Sequence, residues 1–224
     1  MTPTTPDQHP SDAPGPTGGV WPTATPAPRT TRVGQRVLEA ASALFYERGI
    51  TAVGVELVAE QAQTTKRTLY QRFGSKDGLV TAYLRRRAHA WQTTVLDALA
   101  ARWADPAEAL PSDAVRCVLE VAERWAALNP GGCAFVHAWA ELRSTSSDAV
   151  VVIREEKRWM RDLFAVLTAD DDLAEQLHLV YEGAQVTAST LSDPTAWARA
   201  CEVADRLVTA RARSADQPPP SARR

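Results

Sequence analysis

The sequence predicts an all-α protein, with a three-helix helix-turn-helix headpiece at the N-terminal end followed by a bundle of about six further helices. Three observations predict it. Between the two ends of the chain, apolar residues recur at three- and four-residue spacing, and no segment shows the strict alternation of a half-buried strand. Near the front, three short helices are compressed into about 45 residues, and the third has an outward face of polar and basic side chains. Charge is also unevenly distributed. The 224 residues sum to −2, yet Arg29 to Ala90 holds eleven Lys/Arg against five Asp/Glu, and Trp91 to Arg224 holds fourteen against twenty. A basic front and an acidic body point to a polyanionic partner for the front end.

The elements follow in order. Residues 1–31 are rich in Pro and Thr and carry almost no periodic apolar positions, so they are expected to form a tail without order. Arg29 and Arg32 stand where this tail meets the first helix, as a flexible basic arm or as plain solvated linker. Val33, Val37, Ala41, Leu44 and Phe45 form one face of that first helix, which Gly49 ends. Val55, Val58, Ala59 and Ala62 mark a short second helix. After the turn Gln63-Thr64, a third helix is expected over about Lys66 to Phe73 with Thr65 as its N-cap. Leu69 and Phe73, four apart, would face inward, leaving Lys66, Arg67, Thr68, Tyr70 and Gln71 partly or wholly outside.

Gly74 breaks the chain, and Ser75 can cap a long fourth helix through roughly Trp103. Five more helices are expected at about Asp113–Leu128, Cys133–Ser144, Ser147–Thr168, Leu173–Leu191 and Pro194–Ala212, with Asn129-Pro130-Gly131-Gly132 as a stop and turn. Asp193 would cap the last of them, with Pro194 at its first position. The expected domains are the tail 1–31, a helix-turn-helix headpiece 32–78, a body 79–213, and a second tail 214–224.

The outward face of the third helix has the chemistry for duplex DNA. Lys66, Arg67 and Arg72 can meet phosphates or guanine edges, Thr68 a thymine methyl or a phosphate, and Gln71 an adenine. Tyr70 offers a stiff hydroxyl to a phosphate oxygen, and Lys76 adds an ammonium to the free N–H groups at the start of the fourth helix. Charge alone would equally describe a solvated helix face. The residue strings Leu44-Phe45-Tyr46-Glu47-Arg48-Gly49-Ile50, Val58-Ala59-Glu60-Gln61-Ala62 and Thr68-Leu69-Tyr70-Gln71-Arg72-Phe73-Gly74-Ser75-Lys76-Asp77-Gly78-Leu79 go further, because they resemble the TetR family of bacterial regulators.

That resemblance implies a homodimeric DNA-binding regulator, most often a repressor that a small molecule in the helical body releases from a pseudo-palindromic operator. The positions that match the family's usual DNA contacts are Thr65, Lys66, Arg67, Thr68, Tyr70, Gln71 and Lys76. Two departures stand out: Gln63 occupies a turn position where the family usually has Gly, and Gly54 caps the second helix where Ser or Thr is common. The segments Gly132-Cys133-Ala134-Phe135 with Ala140-Glu141, Lys157-Arg158-Trp159 and Tyr181-Glu182-Gly183-Ala184 look similar to the regulatory bodies of one TetR subgroup.

Dimerisation is expected through the last two helices. Leu177, Val180, Ala184, Thr187, Ala188 and Leu191 would form a stripe on one, and Ala200, Ala204, Leu207 and Val208 on the other, unless these pack within one subunit. A ligand cavity would lie among the fourth to eighth helices, where Trp91, Trp103, Trp125, Trp139 and Trp159 supply rings for an apolar or aromatic effector, or simply core. Candidate ligand contacts are Trp91, Trp125, His137, Trp139, Glu141 and Gln185.

No cofactor is expected and no enzyme: the histidines and cysteines lack metal-site spacing, and no phosphate loop or nucleophile motif is present. Cys117, Cys133 and Cys201 read as reduced thiols, either buried apolar residues or, for Cys117 and Cys133, a thiol switch. Without a signal-like front or an apolar run long enough to span a bilayer, the expected place is the cytoplasm, away from membranes.

Overall fold

The computed structural model describes residues 20–145 and 147–215. Nine α-helices make up these residues: α1 Arg32–Arg48, α2 Val55–Gln61, α3 Lys66–Phe73, α4 Lys76–Ala100, α5 Pro111–Leu128, α6 Ala134–Leu142, α7 Asp148–Thr168, α8 Asp171–Thr190 and α9 Ala196–Ala215. A single 3₁₀ turn, Pro106–Glu108, lies between α4 and α5, and no strand occurs among the described residues.

Local chemistry sets the boundaries in the headpiece. The Thr31 side chain accepts from Gly34 N and starts α1, and Gly49 ends it at φ +86°, a left-handed conformation that glycine enters without a Cβ clash. Gly54 caps α2 without a side-chain hydrogen bond. The left-handed turn before α3 is made by Gln63 at φ +50°, which explains why a glycine would suit this position.

Two buried clusters hold the chain together. The first joins Val37, Leu44 and Phe45 of α1, Val58 of α2 and Leu69 of α3 to Leu79, Tyr83 and Leu84 of α4, and it extends to Phe135 of α6 and Ile153 of α7. The second gathers Trp91, Val95 and Leu99 of α4 with Val118 of α5, Met160 and Phe164 of α7, Leu177 and Tyr181 of α8, and Trp197 of α9. α4 therefore belongs to both. In the body, α7 packs on α8, α8 on α9, α9 on α5, and α4 lies against α5 and α7.

Three expectations change. Residues 20–31 are extended yet tied down: Trp21 packs against the second cluster, Thr25 N donates to Gln92 Oε1 (2.6 Å), and Trp159 Nε1 donates to Thr23 O (3.0 Å). Proline-rich chain has few apolar residues of its own, but here it borrows the surface of α4 and α7. The remainder of that tail, 1–19, and 216–224 at the other end lie outside the described residues. At that end helix α9 runs on to Ala215, past the expected stop, while its N-terminal turn begins two residues beyond Pro194. Asp193 still serves that turn, accepting from Thr195 N at 2.8 Å.

The third change concerns the stripe expected to dimerise. Leu177, Ala184, Ala200 and Ala204 are buried within the single chain, and Val180, Ala188, Leu207 and Val208 pack beside them, because α8 and α9 turn these faces toward α5 and α7. The apolar groups left outside are Leu179 (72 % exposed), Val186 (45 %), Leu191 (73 %) and Val203 (40 %).

The corner between α3 and α4 depends on one close approach. Gly78 N donates to Ser75 Oγ (2.9 Å), and a Cβ on Gly78 would lie 2.1 Å from the carbonyl oxygen of Phe73. Gly78→Ala should therefore cost about 1–3 kcal/mol, the range for forced overpacking. Thermal unfolding followed by circular dichroism measures this, and an unchanged midpoint would show that the corner opens freely.

Candidate nucleic-acid interface and body cavity

α3 exposes the face that its sequence suggested. Thr65 Oγ1 accepts from Thr68 N (3.1 Å) and lies 2.9 Å from Thr68 Oγ1, fixing the first turn, and Leu69 is fully buried beneath it. Lys66, Arg67, Tyr70, Gln71 and Arg72 are exposed. Lys66 is held by Glu56 of α2 in an ion pair and lies 5.9 Å from the centroid of the Tyr70 ring. That pairing raises the Lys66 ammonium and lowers the Glu56 carboxyl, as each stabilises the other's charge. Arg67 and Arg72 enter no ion pair among the described residues. Lys76 Nζ reaches Thr51 O at 3.4 Å, so the start of α4 is anchored to the loop between α1 and α2.

A cavity of about 410 Å³ opens in the body, between α4, α5, α7, α8 and α9. Its aromatic wall is continuous: Trp91 and Trp125 have centroids 5.4 Å apart, Trp91 and Tyr181 stack at 6.3 Å, and Tyr181 meets Trp197 at 5.9 Å. Arg87, Glu156, Lys157 and Gln185 add polar groups. Lys157 Nζ is bound by both carboxylate oxygens of Glu182, at 2.7 and 2.8 Å, and lies 3.6 Å from Cys133 Sγ. Arg87 donates to Asn129 Oδ1 (2.9 Å) and lies 4.5 Å over the Tyr46 ring of α1. The Tyr46 hydroxyl in turn is within 2.8 Å of Asn129 O and 3.0 Å of Gly132 O, which joins the headpiece to the cavity's rim.

Comparison with known proteins locates this architecture. Residues 37–83 match the family model described as bacterial regulatory proteins, tetR family. The chain is similar to the solved structure of a TetR-family transcriptional regulator from Streptomyces coelicolor, with TM-score 0.67 and 26 % identity, covering 84 % of this chain and 91 % of that one. The headpiece is thus of the tetR-family type, and the whole chain shares the fold of a TetR-family regulator. Reduced NemR of Escherichia coli shares the fold alone, with TM-score 0.65 at 18 % identity over 79 % of this chain and 96 % of NemR.

Curated relatives match over a shorter stretch. An uncharacterised HTH-type transcriptional regulator of Mycobacterium tuberculosis is 38 % identical over 60 residues, 27 % of this chain and 30 % of that one. The HTH-type transcriptional activator FasR of Mycolicibacterium smegmatis is 42 % identical over 72 residues, 32 % of each chain. The chain thus spans about a third of the length of the curated relatives it matches. The matched family model and these relatives are described as regulators.

Of the residues expected at a cavity, Trp91, Trp125 and Gln185 line it, and His137, Trp139 and Glu141 do not. α6 buries Ala134, Phe135 and Ala138, which leaves the other three on its outer side. His137 stacks on Tyr46 at 6.4 Å, and Trp139 lies at the surface under the Arg154 guanidinium (5.5 Å). Arg87, Glu156, Lys157 and Trp197 were missed. On the sequence, Glu156 and Lys157 look like any solvated pair on a charged helix, and only the packing of α7 against α4 and α8 turns them inward. Among the thiols, burial pushes Cys117 and Cys201 up, so neither is a ready thiolate.

Glu141 has a different task. Its two carboxylate oxygens accept from Ile50 N (2.9 Å) and Thr51 N (2.6 Å), the backbone that leads from α1 into α2. Desolvation raises this carboxyl, but the two N–H groups and the Lys76 charge more than offset it, and the group lies below its ordinary value. A depressed carboxyl contributes stability above its unfolded value and loses it as pH falls through the folded one. Glu141→Gln should therefore destabilise the protein by about 1–2 kcal/mol at neutral pH. The difference from the parent protein should vanish in acid, once the pH is below the depressed value of the folded carboxyl. Urea unfolding at a series of pH values measures both, and a difference independent of pH would show that the charge is irrelevant.

Proposed function

We propose that this TetR-family protein is a cytoplasmic repressor that binds a pseudo-palindromic duplex operator as a homodimer and is released by a small molecule in the body cavity. The observation that carries the reading is that one helix, α4, begins at the exposed basic face of the headpiece and continues into the cavity wall at Arg87 and Trp91. Each α3 would enter a major groove, with Lys66, Arg67, Thr68, Tyr70 and Gln71 toward the bases and phosphates, and Thr65 and Lys76 against the backbone. The Glu56 partner of Lys66 would be exchanged for a phosphate. Effector binding would favour a packing of α4 that spoils the spacing of the two headpieces, by differential affinity for the two states.

A second reading, activation, is favoured by one observation: FasR, 42 % identical over 72 residues, is named an activator. A reporter driven from the selected operator tells the two signs apart.

Selection from a random duplex pool should return a two-fold-symmetric site, and fluorescence anisotropy across salt concentrations should then rank the variants. Lys66→Ala should reduce affinity roughly tenfold and lower the slope of log affinity against log salt by about 1. Tyr70→Ala should also weaken binding. Full affinity in both variants would remove α3 from the groove.

Dimerisation is proposed through the outer faces of α8 and α9. Leu179, Gly183 and Val186 share one side of α8 at i, i+4 and i+7, and a Cβ on Gly183 would meet nothing within 4 Å, which leaves room for a partner helix. Leu179→Asp together with Val203→Asp should convert the dimer to monomer in sedimentation velocity and abolish operator binding. A dimer that survives both changes would put the contact elsewhere.

A further inference from the structure

We propose that the cavity takes a flat aromatic cation, stacked against the Trp91, Trp125 and Tyr181 rings with its positive charge directed at Glu156. This rests on the reading of the cavity as the effector site and adds the chemical class of the effector.

The argument begins with the rings. Trp91 and Trp125 are tilted by 58° at 5.4 Å, while Trp91 and Tyr181 are near parallel (22°) at 6.3 Å, so ring faces of two orientations lie among the residues that line the cavity. Such faces carry negative potential and attract a cation held within about 6 Å of a ring centroid.

The charges then decide the sign. Lys157 is neutralised by both oxygens of Glu182, which also has His178 Nε2 at 3.4 Å, so it offers little to an anion. Arg87 is engaged with Asn129 and lies over the Tyr46 ring. Glu156 is different. It is 3 % exposed, its Oε2 accepts from Gln92 Nε2, and its Oε1 takes no hydrogen bond among the described residues. A buried carboxyl with one acceptor position left over and no direct ion-pair partner is a group for which an incoming N–H or cationic edge is the missing partner.

Titration follows from that geometry. The groups whose charge bears on Glu156 are Lys157 on its own helix and Glu182 of α8, the Tyr181 hydroxyl of α8 feels its charge in turn, and Arg87 of α4 and Cys133 before α6 share the cavity lining with it. Desolvation pushes the Glu156 carboxyl up to about 8, the Gln92 hydrogen bond and Lys157 charge draw it down, and Glu182 raises it. Near neutrality it holds a proton, which a bound cation would expel. Cation affinity should therefore rise with pH until the carboxylate is ionised without help.

Three probes of one shape test this by quenching of tryptophan fluorescence: N-methylquinolinium, the neutral 1-methylnaphthalene, and the anionic 1-naphthoate. At about pH 8.5 the cation should bind at least about tenfold tighter than the neutral isostere, and lose roughly tenfold or more on going to about pH 6.5. Glu156→Gln should abolish both the preference and the pH dependence while keeping affinity for methylnaphthalene and for the operator. If methylnaphthalene binds the parent protein as well as the cation does, or if naphthoate binds best, the cavity is an effector site but the cation assignment is wrong. If none of the three binds up to its solubility limit, the effector-site reading falls with it.

Discussion

One helix is shared by two hydrophobic cores, and the arrangement of everything else depends on it. α4 contributes Leu79, Tyr83 and Leu84 to the headpiece cluster and Trp91, Val95 and Leu99 to the body cluster. At 1.5 Å per residue its 25 residues span roughly 37 Å, so a tilt at the body end becomes a larger displacement at Lys76. The helix is not a lone strut. Tyr46 grips the Asn129–Gly132 corner from α1, and Glu141 grips the α1–α2 loop from α6, so the headpiece is held to the body at two points besides α4. Packed interfaces of this kind have discrete arrangements and do not bend continuously, which is what a two-state regulator requires.

How much could be seen in advance depended on the range of the forces involved. α3 was legible to the residue because Thr65 and Ser75 cap by contacts three residues away and Gly74 stops the helix by its own backbone freedom. The outward side chains of that helix follow once Leu69 is known to be inside. The family resemblance then added roles that periodicity could not.

The cavity was only half legible. Trp91 and Trp125 were visible as rings in the right region, but nothing local distinguishes Glu156 from Glu155 or Lys157 from Arg158, and their burial is decided by helices far away in sequence. Choosing His137, Trp139 and Glu141 followed from the chemistry of the side chains without the phase of α6, which places them on its outer side. The small-residue stripe of α8 and α9 was misplaced for a related reason: a face rich in alanine suits close packing inside a subunit as well as between subunits.

The extended segment before α1 gives its proline content another meaning. Each proline removes an N–H, so Pro22, Pro26 and Pro28 leave the segment fewer donors to satisfy where it is tied to α4 and α7. Thr25 is one of the donors that remain, and its N–H ends a relay through the Gln92 amide to the Glu156 carboxyl on the cavity wall. What is written as low-complexity chain is thus a cord tied at Trp21, Thr23 and Thr25, linked at the last of these to the cavity's buried acid and leading directly into the first turn of α1. A fusion or truncation that loosens this cord reaches both ends of the molecule at once.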